Sequence, residues 1–522
     1  MLKDFERRRG MKYFIGLDNG GTTTKAAIYD EKGKEITVAS MDTAMISKQA
    51  DFVERDMDEM WDANCTVVRK AMKQSGIDPK DIACVAITGH GKGLYLWGKD
   101  DRPVCNGIIS TDNRAWRYPQ MWQEDGTADK LYELTCQNIL ACQPVSLLRW
   151  FKDHQSDVFE KIKYVFEAKD YVRYRMTGVA ATDITDISGT NFVNLHTRNY
   201  DDEILKLLGL EEVKDKLVPI MDSVAIAGYV TEEAAQKCGL LPGTPVAGGM
   251  WDCDACMLST GVVNGERLSV IAGTWNINLY LNPHPVTDHT IMMNSCFILP
   301  GYYVIEESSP TSAGANAWYI RTLLPELKKA QEESGSSIYD IMNGWVEEID
   351  PKEFCPVFLP YVIGSNVHPN AKGCFIGMNT SHTRAHISRG VYEGIVFTHK
   401  THLSNLLKDF PGEPAAIRLA GGIGHSRVWS QMFADVLGYP VEIVDVNETG
   451  TLGCAIGAAV AAGVYSDVSE AAREMVRVRE TFMPRPEYKE IYDRKYALYL
   501  KAVNALDCIW DDYQAYLDDS VK

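Results

Sequence analysis

Residues 18–25 combine a carboxylate, two adjacent glycines, three threonines and a lysine between two apolar runs. This pattern predicts a β-hairpin whose turn is rich in backbone N–H groups and hydroxyls. Adjacent glycines let a backbone approach an anion closely, and successive N–H groups form a nest that suits phosphate. Because a carboxylate beside a phosphate needs a divalent cation between them, Asp18 indicates a magnesium–nucleotide site. The candidate phosphate-binding residues of the turn are Gly20, Gly21, Thr22 and Thr23.

The alternative interpretation of this segment is an ordinary hairpin with a Gly-Gly turn. Neither the glycine–lysine spacing of a Walker loop nor the helix that follows a dinucleotide-binding fingerprint is present. The segment therefore predicts a phosphate site of a different kind from those two motifs.

A second acidic residue, Asp252, follows Gly248 and Gly249 where a short apolar run ends. A carboxylate at such a strand end could accept the proton of a substrate hydroxyl that attacks phosphorus. Asp254 is the competing carboxylate. It would share the side of Asp252 if the segment were extended and would point elsewhere if the segment were helical. The pattern predicts a general base here, with Asp252 as the candidate.

Two turns in the second half of the chain have compositions suited to a nucleotide. Gly273 and Thr274 form a second small turn between apolar runs and could meet a terminal phosphate. Gly421 and Gly422 separate a predicted strand from a predicted helix, where glycines admit a flat base or a phosphate. Close packing between strand and helix is the alternative reason for two glycines at that position.

Polar side chains also follow predicted strands in the first half of the chain. His90 and Lys92 come after one strand, and Asp112 and Arg114 come after another. Such strand ends are where α/β folds bind small ligands, and a polyol needs several donors and acceptors at fixed spacing. Charges of solvated loops are the alternative interpretation.

The elements that must position these residues alternate between apolar strands and amphipathic helices, which predicts an α/β architecture. Asn447 opens a segment of small residues, 447–459, which predicts a loop and a helix that packs closely beneath a nucleotide. Residues 487–516 predict a packed terminal helix. The other predicted strands are 13–17, 26–29, 82–88 and 164–167, and the other predicted helices are 57–75, 144–154 and 168–177.

The strand–turn–strand pattern occurs twice, at residues 15–30 and 268–280. Two such hairpins predict two related lobes that each begin a sheet and face one cleft. A boundary near residues 260–266 then gives an N-terminal domain at 11–262 and a C-terminal domain at 263–522. The charged residues 1–10 predict a disordered extension or an upstream start.

The composition excludes several classes of protein. At 522 residues, the chain exceeds what one hydrophobic core usually supports. A net charge of −18 argues against a nucleic-acid-binding or membrane-surface protein, since those carry basic patches. The chain contains no apolar run long enough to span a membrane. Thirteen scattered cysteines and the lack of an apolar leader indicate the cytoplasm, and the Cys253–Cys256 spacing lacks a second ligand pair for a metal.

Taken together, these segments resemble the FGGY carbohydrate kinases of the actin/Hsp70/sugar-kinase superfamily. Order and spacing match over about residues 11–500. Residues 18–22 look like the first phosphate motif of the family, Gly273 and Thr274 like the second, and Gly421 and Gly422 like the adenosine motif. Asp252 falls where the family has its catalytic aspartate. The family's second signature is recognisable over residues 373–393 but has Gly390 where Ala or Ser is usual, and the first signature has Leu147 where lysine is typical.

The resemblance implies the two-lobed ATPase fold of that superfamily, with duplicated ribonuclease-H-like domains around a central cleft. It implies ATP and Mg²⁺ as cofactors, with the nucleotide on the second lobe and the sugar on the first. Asp252 would accept the proton of the sugar hydroxyl, and Asp18 would hold Mg²⁺ through water, because magnesium gives up its hydration reluctantly. The implied partner is a small-molecule sugar, without nucleic acid or membrane, and a homodimer is left open.

Residues 54–57, 91–94, 144–150, 382–386 and 392–399 are similar to the L-xylulose (3-keto-L-gulonate) kinases within the family. They imply phosphorylation of a primary hydroxyl, most simply O5 of L-xylulose, with 3-keto-L-gulonate as a further acceptor. The alternative acceptors are D-xylulose, ribulose and glycerol.

Two alternatives lie outside the kinases. An actin- or Hsp70-like nucleotide-gated protein would need insertions for filament contacts or a β-rich substrate domain, and neither is evident. A non-catalytic sugar sensor would lack the base, whereas Asp252 is present.

Overall fold

The computed structural model describes residue 10 and residues 12–520, except residues 48, 50, 328–330, 332, 334, 336 and 366. Apart from Gly10, the predicted extension at 1–10 lies outside the described residues. The chain divides into two compact units. Unit 1 comprises Met1–Val263, Leu281–Ile305 and Glu448–Arg477, and unit 2 comprises Asn264–Tyr280, Glu306–Asn447 and Val478–Lys522. The compact units thus combine segments from both sides of residue 263, and the ranges 11–262 and 263–522 stay a prediction about domains.

The strand Ile82–Gly89 lies inside the sheet of unit 1. Tyr13–Asn19 and Met250–Trp251 both run parallel to it. These strands carry apolar residues on both faces. This pattern is typical of parallel strands, because a parallel sheet is covered on both of its faces. The carboxyl ends of the three strands therefore meet at one edge of the sheet. The main path of the sheet is, in spatial order, Ile226–Tyr229, Pro245–Ala247, Ile82–Gly89, Tyr13–Asn19, Thr23–Asp30 and Glu35–Asp42.

Local signals explain the long helix Met57–Ser75. Asp56 caps its first turn by accepting the amide hydrogen of Glu59, and Gly76 ends it in the left-handed conformation with φ 67°. Apolar residues at helical spacing, among them Trp61, bury one face against the sheet. Burial of each such large side chain contributes about 1.5–3 kcal/mol relative to exposure. The predicted helix over 57–75 is confirmed, as are those over 144–154 and 168–177.

The sheet of unit 2 begins with a hairpin of the strands Arg267–Ala272 and Asn276–Asn282. Arg267–Ala272 pairs in parallel with Ala416–Ala420, which pairs in parallel with Val441–Val444, and Val478–Phe482 follows at the edge in antiparallel orientation. The predicted strand–turn–strand at 268–280 is therefore present. The carboxyl ends of Arg267–Ala272 and Ala416–Ala420 lie side by side.

Shorter strands and the other helices complete the described chain. The remaining strands are Glu54–Arg55, Tyr95–Gly98, Gly107–Ile108, Ile162–Phe166, Thr182–Asp183, Val193–Asn194, Asn199–Tyr200, Ile220–Met221, Met293–Cys296, Tyr303–Ser309, Val357–Leu359 and Cys374–Ile376. The α-helices besides Met57–Ser75 are Arg117–Glu124, Thr127–Thr135, Pro144–His154, Ser156–Phe159, Ala168–Thr177, Ile184–Ile187, Asp202–Leu208, Glu232–Cys238, Asp252–Ser259, Ala313–Leu323, Ile338–Glu347, Arg384–Leu406, Arg427–Leu437, Thr449–Ala461, Val468–Met475, Pro486–Leu506 and Trp510–Ser520. Within the described part of the chain, no helix is long and apolar enough to cross a membrane.

The helix Thr449–Ala461 belongs to unit 1, although it comes late in the chain. Its small residues let it approach the sheet closely: a Cβ on Gly16 would lie 1.8 Å from the carbonyl oxygen of Thr451. On another side, a Cβ on Gly453 would lie 2.1 Å from the carbonyl oxygen of Ala255. The glycine-rich pattern predicted close packing, and the packing partners are the strand Tyr13–Asn19 and the helix that begins at Asp252.

The predicted terminal helix is divided. Pro486–Leu506 is followed by a 3₁₀ turn and by Trp510–Ser520. Tyr492 and Tyr499 are buried, and the hydroxyl of Tyr499 lies 3.1 Å from that of Tyr361. The tail is therefore packed in unit 2, as predicted, but a 3₁₀ turn at Asp507–Ile509 interrupts the α-helix.

Candidate active site

The edge where the parallel strands of unit 1 end carries two of the predicted carboxylates. Asp18 lies opposite Thr88 in the sheet, and Met250 lies opposite the same residue from the other side. Asp252 follows directly as the first residue of the helix Asp252–Ser259. Parallel pairing thus brings Asp18 and Asp252, which are far apart in sequence, to the same edge.

The Asp18 carboxylate is half-buried and lies between charged groups of opposite sign. Burial raises its pKa to about 6; Lys25 opposes this shift and Glu448 adds to it. Lys25 and Glu448 form an ion pair of 2.6 Å. A Cβ on Gly450 would lie 2.4 Å from Oδ2 of Asp18, so only glycine leaves room for the carboxylate at the start of this helix. A desolvated carboxylate with one nearby ammonium is a suitable outer partner for a hydrated divalent cation.

The glycine turn that follows Asp18 is stabilised by hydrogen bonds from a buried arginine. Arg55 donates hydrogen bonds to the carbonyl oxygen of Gly20 at 3.0 Å and to the hydroxyl of Thr24 at 3.2 Å. A Cβ on Gly20 would lie 2.8 Å from the carbonyl oxygen of Thr23, whereas a Cβ on Gly21 would meet open space. Thr22 is exposed. Gly20 is therefore needed for the tight turn, and the Gly21 and Thr22 side of the turn is open to a ligand.

The helical geometry of residues 252–259 separates the two competing carboxylates. Asp252 is half-buried at the helix start, whereas Asp254 is fully buried and accepts the amide hydrogen of Ile298 at 2.9 Å. Burial raises the pKa of Asp254 well above its ordinary value, and Asp252 adds to the shift. Asp254 therefore faces inward, and Asp252 is the more accessible of the two carboxylates.

Cys256 marks the proximity of the two site carboxylates. Its thiol lies 3.4 Å from the hydroxyl of Thr449. Burial raises its pKa to about 12, and the charges of Asp252 and Asp18 both contribute. The predicted absence of a metal role for Cys253 and Cys256 stays a prediction; no cluster of three or more His, Cys, Asp or Glu suited to a metal occurs among the described residues.

The loop after strand Ile82–Gly89 lies next to Asp252 through Trp251. The Lys92 ammonium lies 5.6 Å from the ring centroid of Trp251, and Lys92 itself has φ 65°. His90 Nε2 lies 2.7 Å from the hydroxyl of Tyr95. Burial lowers the pKa of His90 to about 4, and Arg55 contributes, so the imidazole is neutral at physiological pH. The structure thus brings His90 and Lys92 close to the candidate base.

Asp112 and Arg114 form a buried pair rather than two independent ligands. Arg114 donates to both carboxylate oxygens of Asp112 at 2.8–3.1 Å and to Glu54 at 2.7 Å. The guanidinium also lies 4.1 Å from the ring centroid of Phe52 and 5.3 Å from that of Trp150. Their role in substrate binding stays a prediction, and the Arg114 side chain is 2 % exposed. A cavity of about 320 Å³ next to this pair is lined by Ile46, Gln49, Phe52, Glu54, Trp150 and Gln155.

The two predicted nucleotide turns of unit 2 are neighbours. Gly421 has φ 97°, and a Cβ there would lie 2.7 Å from the carbonyl oxygen of Ala272, the residue before Gly273. The carbonyl oxygen of Gly273 accepts the amide hydrogen of Ala313 at 2.8 Å. Thr274 is exposed, and a Cβ on Gly422 would meet open space. Asn447 is exposed in the loop before the helix Thr449–Ala461.

Several residues of the site were not predicted from the sequence. Lys25 and Glu448 flank Asp18, Trp251 covers the loop of Lys92, and Glu54 holds Arg114. The spacing of the glycines at 450, 453 and 457 was the available signal for the helix that meets Asp18, because it marks one face of small residues. The sequence pattern predicted packing beneath a nucleotide, which stays a prediction, and it did not indicate the contact with Asp18.

Known proteins resemble the chain over most of its length. Residues 13–259 match the N-terminal domain of the FGGY family of carbohydrate kinases, and residues 268–462 match its C-terminal domain. A probable L-xylulose kinase from Pasteurella multocida is 35% identical over 497 residues, which is 95% of this chain and 99% of that protein. An L-xylulose/3-keto-L-gulonate kinase from Escherichia coli is 35% identical over 502 residues, 95% of this chain and 97% of that protein.

The fold also matches solved structures. The crystal structure of a ligand-bound xylulose kinase from Lactobacillus acidophilus aligns with a TM-score of 0.87 at 25% identity, covering 96% of this chain and 100% of that one. The structure of a glycerol kinase from Plasmodium falciparum with ADP aligns with a TM-score of 0.82, which supports the same fold. The predicted two-domain sugar-kinase fold is confirmed. The chain belongs to the FGGY family of carbohydrate kinases and is an enzyme that phosphorylates a sugar.

Proposed function

We propose that the enzyme transfers the terminal phosphoryl group of ATP to a primary hydroxyl of a ketopentose, with L-xylulose as acceptor and L-xylulose 5-phosphate as product. The observation that carries this proposal is the half-buried Asp252 at the edge where the strands of unit 1 end, next to Asp18 and to the Lys92 loop. The names of the two 35%-identical relatives favour L-xylulose over D-xylulose, ribulose and glycerol, and they make 3-keto-L-gulonate the second acceptor.

Asp252 is the proposed general base. It is the first residue of the helix Asp252–Ser259, where the helix dipole stabilises negative charge. It would accept the proton of the sugar hydroxyl as that oxygen attacks the terminal phosphorus of ATP, the bond from this phosphorus to the bridging oxygen breaks and ADP leaves. Asp254 is fully buried and accepts the amide hydrogen of Ile298, so it does not compete for this proton.

Neutral His90 and cationic Lys92 are proposed to hold the sugar, His90 as a hydrogen-bonding group and Lys92 as a charged donor. Asp112 and Arg114 are proposed to shape the far end of the sugar site, since their polar atoms are engaged with each other and with Glu54. Lys92, which is half-buried, is better placed than Arg114 to meet the carboxylate of 3-keto-L-gulonate.

Asp18 is proposed to hold Mg²⁺ through water, and the glycine turn to contact phosphate. The metal, when bound, neutralises charge on the phosphates. In unit 2, the proposed nucleotide-binding residues are Gly273, Thr274, Gly421, Gly422 and Asn447. The thirteen cysteines, none of them in a disulfide, support a proposed location in the reducing cytoplasm.

A coupled assay of ADP release tests the proposal over a panel of L-xylulose, 3-keto-L-gulonate, D-xylulose, L- and D-ribulose and glycerol. We expect the highest kcat/KM with L-xylulose. A higher kcat/KM with D-xylulose or glycerol would contradict L-xylulose as the proposed acceptor. It would not affect the assignment of the chain to the FGGY carbohydrate kinases.

A further inference from the structure

A buried cluster of charged side chains lies behind the strand Met250–Trp251, and the proposed chemistry makes no use of it. Two cations face four carboxyl groups, and each of the six residues is at most 1% exposed. Burial of so many charges is costly unless the groups pair closely and are hydrogen-bonded. Burial also raises the pKa of Glu167 and of Asp186 well above the ordinary values. The members of the cluster are Glu167, Lys169, Asp170, Arg173, Asp183 and Asp186.

Lys169 lies at the centre of the cluster. Its ammonium lies 2.7 Å from Asp170 Oδ1, 2.7 Å from Asp183 Oδ1 and 3.4 Å from Asp186 Oδ2. Although burial by itself raises the pKa of Asp183, the charge of Lys169 and the hydrogen bonds to Asp183 lower it below the ordinary value. Asp183 is therefore an ionised carboxylate in the interior.

The second oxygen of Asp183 orients Thr185. Oδ2 accepts the amide hydrogen of Thr185 at 2.9 Å, the hydroxyl hydrogen of Thr185 at 2.6 Å and the hydroxyl hydrogen of Ser223 at 2.7 Å. Because the Thr185 hydroxyl proton is committed to an ionised carboxylate, its oxygen presents lone pairs in a fixed direction. In that direction it accepts the amide hydrogen of Trp251 at 2.9 Å.

The Trp251 amide is the last backbone N–H before the helix that begins at Asp252. Trp251 is extended, with φ −66° and ψ 152°, and no side chain caps the helix at this residue. The preceding backbone is held from the same cluster, because Arg173 donates a hydrogen bond to the carbonyl oxygen of Gly248. Gly249 has φ 85°, and a Cβ there would lie 2.4 Å from the carbonyl oxygen of Ile87. The cluster thus holds the backbone on which the orientation of Asp252 depends.

We infer that Thr185, oriented by Asp183 and Lys169, is a positioning residue that sets the orientation of Asp252 through the peptide N–H of Trp251. The inference rests on the proposed function only for the role of Asp252 as base. The contact itself is independent of that role.

The test replaces Thr185 by Val, which keeps the shape and removes the acceptor, and by Ser, which keeps the acceptor. Thr190→Val is the matched control, because Thr190 is equally buried but its hydroxyl donates to the carbonyl oxygen of Ile187. We expect Thr185→Val to lower kcat by about 10- to 100-fold, because small displacements of a catalytic group have effects of that order. The KM for L-xylulose should change less than about threefold, and Thr185→Ser should stay within about threefold of wild-type kcat.

A kcat of Thr185→Val equal to that of Thr190→Val would overturn the inference, as would a Thr185→Ser variant as slow as Thr185→Val. If Thr185→Val does not fold, Thr185→Cys, whose sulfur is a weak acceptor, is judged by the same criteria.

Hydrogen–deuterium exchange on the full chain without substrate gives a readout other than activity. The peptide that covers residues 249–258 should exchange faster in Thr185→Val than in wild type, Thr185→Ser and Thr190→Val. Faster exchange together with full turnover by Asp252→Asn would support the contact and reject the proposed base. Unchanged exchange in Thr185→Val would reject the positioning role itself.

Discussion

The carboxylate of Asp18 packs directly against the backbone of Gly450, where a Cβ would lie 2.4 Å from Oδ2. The first strand of the chain and a helix near its end therefore meet at one carboxylate. Gly450 is the second residue of the helix Thr449–Ala461, so the half-buried carboxylate lies near the positive end of a helix. Residue 450 lies in a helix, where glycine is normally unfavourable. The contact with Asp18 explains why a glycine is required there.

Gly450→Ala should displace the Asp18 carboxylate, because the added methyl group overlaps it. We expect a lower kcat and a higher Mg²⁺ concentration for half-maximal rate, the same direction of change as for Asp18→Ala. The measurement is the rate as a function of Mg²⁺ at saturating sugar. Gly344→Ala is the matched control: it lies in a helix with open space around its Cβ and should retain wild-type kinetics with slightly higher stability. A wild-type Mg²⁺ titration curve for both Gly450→Ala and Asp18→Ala would remove Asp18 from the environment of the metal.

Asp252→Asn should lower kcat by about 10²–10⁴-fold while L-xylulose still binds, since the amide cannot accept the hydroxyl proton. We expect the lower end of this range, because a loose phosphoryl-transfer transition state needs little help from a base. Calorimetric titration with L-xylulose and single-turnover rates separate binding from chemistry. Asp254→Asn is the control, and it should stay within about threefold of wild type, because residue 254 faces inward and the Asn side-chain oxygen can still accept the amide hydrogen of Ile298. An Asp252→Asn enzyme that retained more than about a tenth of kcat would disprove the base assignment.

Stability should depend on pH through His90. Its pKa is lowered to about 4 in the folded protein, from an ordinary value of about 6.5 in the unfolded chain. Between these values the unfolded chain binds the proton and the folded protein does not, so stability falls as pH decreases from about 6.5 to 4. When the pH is lowered from 7.5 to 4.5, the free energy of unfolding of His90→Gln should therefore rise by about 1–3 kcal/mol relative to that of wild type. Urea unfolding at both pH values measures this, and a difference between the two proteins that did not vary with pH would show that His90 titrates normally.

The enzyme should discriminate between acceptor sugars by their stereochemistry. For the acidic sugar 3-keto-L-gulonate, the charge of its carboxylate should also contribute. A misplaced hydroxyl leaves buried partners unpaired at a cost of about 1–3 kcal/mol. The kcat/KM for L-xylulose should therefore exceed that for D-xylulose by on the order of tenfold or more. Lys92→Met should reduce kcat/KM for 3-keto-L-gulonate more than for L-xylulose, because only the former carries a carboxylate. The exposed Lys206 offers a control, since Lys206→Met should affect neither sugar. An equal loss of kcat/KM with both sugars in Lys92→Met would show that the carboxylate of 3-keto-L-gulonate does not lie next to Lys92.

Where local chemistry decides the structure, the sequence was sufficient. The helix Met57–Ser75 follows from an Asp cap, one apolar face and a terminal Gly, and the hairpin after Tyr13–Asn19 follows from two apolar runs around glycines. The candidate residues Asp18, Asp252 and Gly421 could be identified for the same reason, because strand ends and glycine turns are local features. Family membership also followed from the order of these motifs.

Tertiary structure decided which of these residues act together. Periodicity shows that a helix of small residues exists at Thr449–Ala461, but only packing assigns it to unit 1 and to Asp18. Helical geometry after Trp251 buried Asp254 and left Asp252 more accessible, a choice that the residue pattern left open and for which the family resemblance favoured Asp252. The pairing of Arg114 with Glu54, and the connection from Lys169 to the Trp251 amide, join residues from separate segments. Such contacts depend on how strands pair and helices pack over long separations, and no local pattern of residue types records that choice.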